Sequence, residues 1–311
     1  MARVFSSGDL IVDRRFCFAE ALAEAGDLEA AIDVLNSAMS LTPEWAAGWF
    51  RLGEWREAAG DQPGAIAAWE KALLADPDDV LGAGLKRDLA RAVPVNETMP
   101  IAFIEALFDQ YAEEFEKSLL EKLDYRAPDL LVAALSGQRF ARVMDLGCGT
   151  GLAGALLRPM SDWLEGIDIS SQMLARAAAK GVYDRLTRAD LSTLEIGAER
   201  YDLIVAADVF VYVGALERIL GWCAGVLTET GTLAFTVEAS DEPLILRESR
   251  RFAHSRAYLE GVLNDAGFSQ VSIRKTDLRK DRGEMLAGYC VLARGLRART
   301  RQDDDEGFAL T

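Results

Sequence analysis

The sequence has a single histidine, His254, and only four cysteines, Cys17, Cys148, Cys223 and Cys290, no two of them close together. That inventory assembles no zinc site at any usual ligand spacing, so no metal is expected, and it offers no disulfide framework. Positive charge is also scarce: 34 Lys plus Arg stand against 50 Asp plus Glu, a formal net charge of −16. Such a surface repels a phosphate backbone unless basic residues gather in one patch, and only short basic clusters occur, at 247–256 and 294–301. Nucleic acid is therefore not an expected partner. Long apolar runs are missing too. The stretch 209–216 falls far short of the ~18–20 residues that a membrane helix needs, and Asp9 and Asp13 stand where a signal peptide would be apolar. A soluble, cytoplasmic protein is expected. Half of the 311 residues are hydrophobic and 27% charged, the mixture of a globular chain of about two domains.

Laying residues 12–45 over 46–79 aligns Gly26 with Gly60, Asp27 with Asp61, Ala31 with Ala65, Ala38 with Ala72 and Pro43 with Pro77, a period of 34. Within each unit apolar residues recur at helical spacing, a Gly-Asp pair interrupts the helix and a Pro ends it, which reads as two helical hairpins. The small residues allow close helix packing, while Trp49, Leu52, Trp69 and Leu73 fill the seam. The pattern resembles the tetratricopeptide repeat, more closely in the second unit than in the first, where Arg15 occupies a position usually held by a large aromatic. Residues 79–91 cap the stack and 93–96 read as a linker. Such a module either presents a partner-binding surface or serves as a structural, dimerising appendage; the repeat alone does not separate these.

From residue 142 onward short apolar runs alternate with helical stretches, which argues for an α/β fold around a mostly parallel sheet. Strands are expected at 142–146, 163–168, 201–206, 232–237, 271–276 and 289–293, with helices such as 170–180 and 216–227 between them. In VMDLGCGTGLAG, residues 143–154, an apolar strand ends in Asp145, and Gly147, Gly149 and Gly151 form a turn that opens a helix. Glycine there permits positive φ and close approach of a ligand to the backbone. Residues 149–154 also satisfy the G-x-G-x-x-G dinucleotide fingerprint, so a nicotinamide or flavin enzyme competes. Asp145 argues against it: a carboxylate repels a diphosphate but attracts the ammonium and sulfonium of S-adenosylmethionine.

Over residues ~100–295 the chain is similar to the class I S-adenosylmethionine-dependent methyltransferases, and with its repeats it resembles the bacterial members that carry an N-terminal tetratricopeptide module. The resemblance implies a Rossmann-like sheet with helices on both faces, preceded by an all-α module. It implies the divisions 1–95 for the repeats, 96–140 for lid helices, 141–296 for the cofactor-binding core and 297–311 for a disordered tail. Asp145, Gly147, Cys148, Gly149, Thr150 and Gly151 then form the cofactor turn, with Cys148 as packing rather than nucleophile. Asp168, ending the second strand, holds the ribose hydroxyls; Ile169 and Ser170 touch the adenine side and Met173 lies beneath the base. Asp190, beside Leu191, sits near the adenine amine, and Asp208 and Tyr212 lie at the reaction cleft. In 106–128, similar to lid helices, Phe108 and Tyr111 cover the cofactor and Arg126 pairs with its carboxylate. Each aspartate also has a plainer reading as a helix cap.

Methyl transfer from a sulfonium needs a base only if the nucleophile arrives protonated. His254, with a neutral-range pKa, is the candidate base or a hydrogen-bond partner of the substrate, and Tyr212 is the second catalytic candidate; Arg250 and Arg251 would meet an acidic acceptor. The Asn-Pro-Pro-aromatic turn and the Pro-Cys pair of nucleic-acid methyltransferases are missing. The expected function is therefore methyl transfer to an O or N nucleophile of a small molecule, with the repeats used for dimerisation or docking. The alternative is a repeat protein whose methyltransferase half modifies or regulates a bound protein partner.

Overall fold

A computed structural model of the chain describes residues 6–91, 100–111, 123–247, 249–281 and 283–296, apart from the side chains of Gln110, Tyr111 and Asp281. The expected linker at 93–96, most of the expected lid beyond residue 111 and the tail from 297 lie outside the described residues.

The described residues begin with four helices in two antiparallel hairpins, α1 (Leu10–Glu24), α2 (Leu28–Met39), α3 (Ala46–Ala58) and α4 (Gln62–Ala75). Gly26 and Gly60 close the intra-repeat turns at φ 88° and 83°, a region open to glycine without steric cost. The following Asp27 and Asp61 then cap α2 and α4 by accepting from Ala30 N and Gly64 N. Ala31, Ala38, Ala65 and Ala72 are all buried, so the helices approach closely, and Trp45, Trp49, Trp55 and Trp69 form the core of the stack. A fifth helix, α5 (Ala83–Arg91), follows a turn whose Asp79, itself at positive φ, caps Ala83 N and Gly84 N. After it comes α6 (Ile101–Tyr111) and, beyond the undescribed stretch, α7 (Ala127–Ala134).

The rest of the described residues build a nine-stranded sheet whose spine runs β3 (Arg185–Arg188), β2 (Ser161–Asp168), β1 (Phe140–Leu146), β4 (Tyr201–Ala206), β5 (Leu227–Ala239) with parallel pairing throughout. Past the long β5 lie β7 (Phe252–His254), parallel to its end, and β6 (Leu244–Leu246) beyond that. The antiparallel pair β8 (Phe268–Asp281) and β9 (Glu284–Leu296) joins through β9 to β5. Alternate residues of the central strands bury on opposite faces, as a period of two requires. Val143, Leu203 and Val205 pack with α7 and with α8 (Leu152–Leu157); Met144, Ile204 and Ala206 pack on the face covered by α10 (Glu217–Val226) and α11 (Arg256–Asp265). Between α8 and α10, α9 (Ser171–Lys180) links β2 to β3. No helix of the described residues is long and apolar enough to cross a membrane.

Three strands went unanticipated or were implied only by resemblance. β3 reads RLTR and lies at the sheet edge, so it carries no apolar run, while β6 and β7 are three residues each.

Candidate active site

The order of strands reverses between β1 and β4, and the crevice outside their carboxyl ends is where open α/β sheets bind ligands. A cavity of about 450 Å³ opens there. Its first end is the glycine turn. Gly147 and Gly149 take φ 59° and 54°, and a β-carbon on Gly147 would collide with Val209. Cys148 N donates to Ile167 O at 2.9 Å and Gly149 N to Asp168 Oδ2 at 2.8 Å, so the turn is pinned to the end of β2. Asp168 also accepts from Ser170 N through its other oxygen at 2.9 Å. Its carboxyl stands above the ordinary range because it is buried, although these backbone donors pull it back down. Thr150 lines the cavity too, and its buried hydroxyl has no partner among the described residues.

Asp145 is pushed up to about 7, first by burial and then by the negative charge of Asp168, against the lowering effect of the Tyr183 hydroxyl that donates to it at 2.6 Å. Tyr183 also settles what the fingerprint glycines are for. β-Carbons built on Gly151, Gly154 and Gly166 would all press into the Tyr183 ring, so the spaces left by those glycines are filled by a phenol of this chain. A diphosphate at this turn would face the Asp145 carboxyl, which lines the cavity, where it needs positive potential.

Of the other residues singled out in the sequence, Ile169, Met173, Asp190 and Leu191 line the same end. Asp190 at the same time accepts from Ser192 N at 2.8 Å, the plainer capping role. Ser170 and Gly151 are not among the lining residues. Ser170 caps α9 at Met173 N, and its hydroxyl donates to Asp109 of α6 at 2.5 Å. Burial pushes the Cys148 thiol far up, which keeps it protonated and suits packing. Phe108 of α6 lines the cavity, with its ring edge-on to Tyr212 at 5.2 Å. The Tyr111 side chain lies outside the described residues.

Two expectations are corrected. Arg126 is not a lining residue; it precedes α7, and its backbone N donates to Leu278 O at 2.9 Å. His254 is fully buried in β7 and absent from the cavity, its Nε2 2.7 Å from Gly214 O and its ring stacked on Tyr258. Burial lowers its pKa, so it is a neutral packing residue that donates to a carbonyl.

The second end of the cavity is charged in a way the sequence did not reveal. Asp208, held at φ 58° on the loop after β4, receives both its hydrogen bonds from Arg279 Nη1, at 2.8 and 2.6 Å. Arg279 is buried in β8 and its other nitrogen donates to Glu238 of β5. Glu238 is also 3.4 Å from Arg247 and 3.9 Å from Arg251. Three guanidiniums thus share two carboxylates, a cluster of net positive charge that reaches the cavity through Arg251, whose guanidinium lies 5.8 Å from the centroid of the Tyr212 ring. Desolvation alone would weaken its charge, but Tyr212, Asp208 and Glu238 hold its pKa above the usual value. Tyr125, buried nearby, donates to Ala207 O at 3.3 Å, and its phenol is pushed well up by burial and by Asp208. Tyr183, Arg279, Glu238 and Tyr125 were missed in the sequence; the one visible signal is a lone Glu in the apolar run of β5.

Residues 143–231 match the methyltransferase domain family. Among curated proteins the chain is similar to malonyl-[acyl-carrier protein] O-methyltransferase of Enterobacter lignolyticus, 30% identical over 161 residues, which cover 52% of this chain and 63% of that protein. The chain thus spans less than two thirds of the length of that relative. Its N-terminal part is similar to a TPR repeat-containing protein of Pseudomonas aeruginosa, 42% identical over 59 residues, 19% of this chain and 56% of that one. Among solved structures the DhpI–SAH complex superposes with a TM-score of 0.51 at 21% identity, covering 63% of this chain and 98% of that one, a likeness of fold.

Proposed function

From the premise that the chain carries an S-adenosylmethionine-dependent methyltransferase domain of the class I fold behind a tetratricopeptide module, we propose that it methylates a carboxylate oxygen of a small acid. The residues present fit the cofactor. Among the described residues Asp145 is a buried carboxyl with no cation beside it, Asp168 is preset by two backbone donors, and the Thr150 hydroxyl has no partner. S-adenosylmethionine, when bound, supplies a methyl carbon on a positively charged sulfur that an acceptor atom displaces in line. The protein's own work is to position and desolvate. Asp145 offers negative charge to the cofactor's cationic part, Asp168 accepts from its hydroxyls, and Phe108 with Tyr212 keeps water from the junction between the two ends.

The observation that carries the acceptor class is Arg251 in a cavity end that lacks a free base. Among the described lining residues there is no histidine, and Asp208 is committed to Arg279. A carboxylate suits both facts: a guanidinium binds it as a fork, and it arrives already deprotonated at neutral pH, so no proton has to leave. The acceptor named by the E. lignolyticus relative, a malonyl group, has the same chemistry. The test is transfer of labelled methyl from S-adenosylmethionine to malonyl thioesters, free malonate and an amine panel. Label in a base-labile ester supports the reading; label in amines alone, or no transfer by protein that binds S-adenosylhomocysteine, overturns it.

A further inference from the structure

Arg250 and Arg251 are adjacent in sequence and serve opposite sides of the molecule. While Arg251 lines the cavity, the Arg250 guanidinium lies between two aromatic rings, 5.5 Å from the centroid of Phe50 in α3 and 5.4 Å from that of Phe103 in α6. It stands 3.8 Å from Glu54 and donates to Leu81 O at 3.4 Å. Phe50, Glu54 and Leu81 all belong to the repeat half. Arg250 itself takes φ 58°, a left-handed conformation disfavoured for any residue with a β-carbon. Its N donates to Arg247 O, and Arg251 O accepts from Arg247 N. Among the described residues, the tight turn that places two neighbouring side chains on two different surfaces is fastened on its outer side by the repeat module and α6.

A second contact runs beside it. Leu85 of α5 and Phe103 are buried together with Leu246 and Phe252, and Ile104 and Tyr212, both cavity residues, pack against them. Gly82, at φ 71°, admits the Phe103 ring: a β-carbon there would stand 3.0 Å from it. The helix that ends the repeat stack thus packs against residues that adjoin the site.

We propose that Arg250 is a positioning residue through which the repeat module holds Arg251 at the acceptor end of the cavity. The module then braces the acceptor end from behind the residues that line it, and its integrity is read in acceptor affinity and not in cofactor affinity. The pairing follows from chemistry. A guanidinium keeps both its charge contact with Glu54 and its stacking on two rings, which a lysine ammonium does only in part. This inference rests on the reading of Arg251 as the acceptor's partner.

The experiment uses full-length protein with Arg250→Ala and, from the repeat side, Phe50→Leu. Calorimetry measures S-adenosylhomocysteine first and then malonate, as the carboxylate probe, on the S-adenosylhomocysteine complex; hydrogen exchange is followed over 100–108 and 249–256. Both variants are expected to bind malonate about tenfold more weakly and S-adenosylhomocysteine within about twofold of wild type. Exchange should rise in both segments and stay unchanged at 143–151, and Arg250→Lys should recover part of the loss. Malonate affinity unchanged in both variants, or cofactor affinity falling in parallel with it, overturns the proposal. If wild type fails to bind malonate, the carboxylate reading falls, and the exchange result alone decides the coupling: no rise at 249–256 in Arg250→Ala refutes it.

Discussion

The two ends of the cavity are built by different means. The cofactor end is local: a glycine turn and the last residues of neighbouring parallel strands bring Asp145, Gly149 and Asp168 together through backbone hydrogen bonds, with carboxylates on view. The acceptor end is assembled from a distance. Asp208 on the β4 loop, Glu238 on β5, Arg251 before β7 and Arg279 on β8 meet as side chains, and the charge on view is positive. Backbone geometry fixes the first end by strand register, whereas the second depends on a buried ionic cluster, in which removal of one partner leaves the others uncompensated.

That contrast is open to direct tests. The largest effect is expected from Asp168→Ala, which removes a buried acceptor of two or more charge-assisted hydrogen bonds; S-adenosylhomocysteine affinity should fall by roughly 100-fold or more in calorimetry. Next, Arg251→Met should lower kcat/KM for the carboxylate acceptor by about 30- to 100-fold, the scale of truncating one partner of a buried ion pair, while S-adenosylhomocysteine affinity stays within about twofold. Equal losses of both would erase the division between the two ends.

A subtler test uses pH. Because the Asp145 pKa is raised to about 7 in the folded protein, the folded state binds its proton more tightly than the unfolded chain does. Its contribution to stability is full below the ordinary carboxyl range near pH 4 and is lost as pH rises through about 7. Asp145→Asn should therefore stabilise the ligand-free protein at pH 8 by about 2–4 kcal/mol and little at pH 4, read by denaturant titration, while weakening the cofactor. The smallest catalytic effect is expected from His254→Gln: kcat within about threefold of wild type, with a lower thermal midpoint from the lost packing in β7. A loss of chemistry with an intact midpoint would restore the histidine to the mechanism.

How much of this was legible in the sequence follows the same line. The glycine turn, Asp168 and the 34-residue period are short-range patterns, and strand β4 was located to the residue, because each is dictated by its own neighbours. Arg251 was legible only as half of a basic pair, since nothing in RRFAH says which arginine turns inward; that is decided by a left-handed residue and by aromatic rings some 150 to 200 positions upstream. His254 misled for the converse reason. Its neutral-range pKa marked it as a base, but pairing of β7 with β5 and β6 buries it completely.

Tyr183 changes how the glycine pattern should be filed. Its ring occupies the room that Gly151, Gly154 and Gly166 leave, and its hydroxyl holds the carboxyl that repels phosphate. The third glycine of the dinucleotide pattern serves helix–strand packing, and here Tyr183 takes up that packing space behind the turn. Packing and charge are therefore tied at one residue: trimming Tyr183 would hollow out the back of the glycine turn and strand Asp145 without its donor, so the two positions would have to change together.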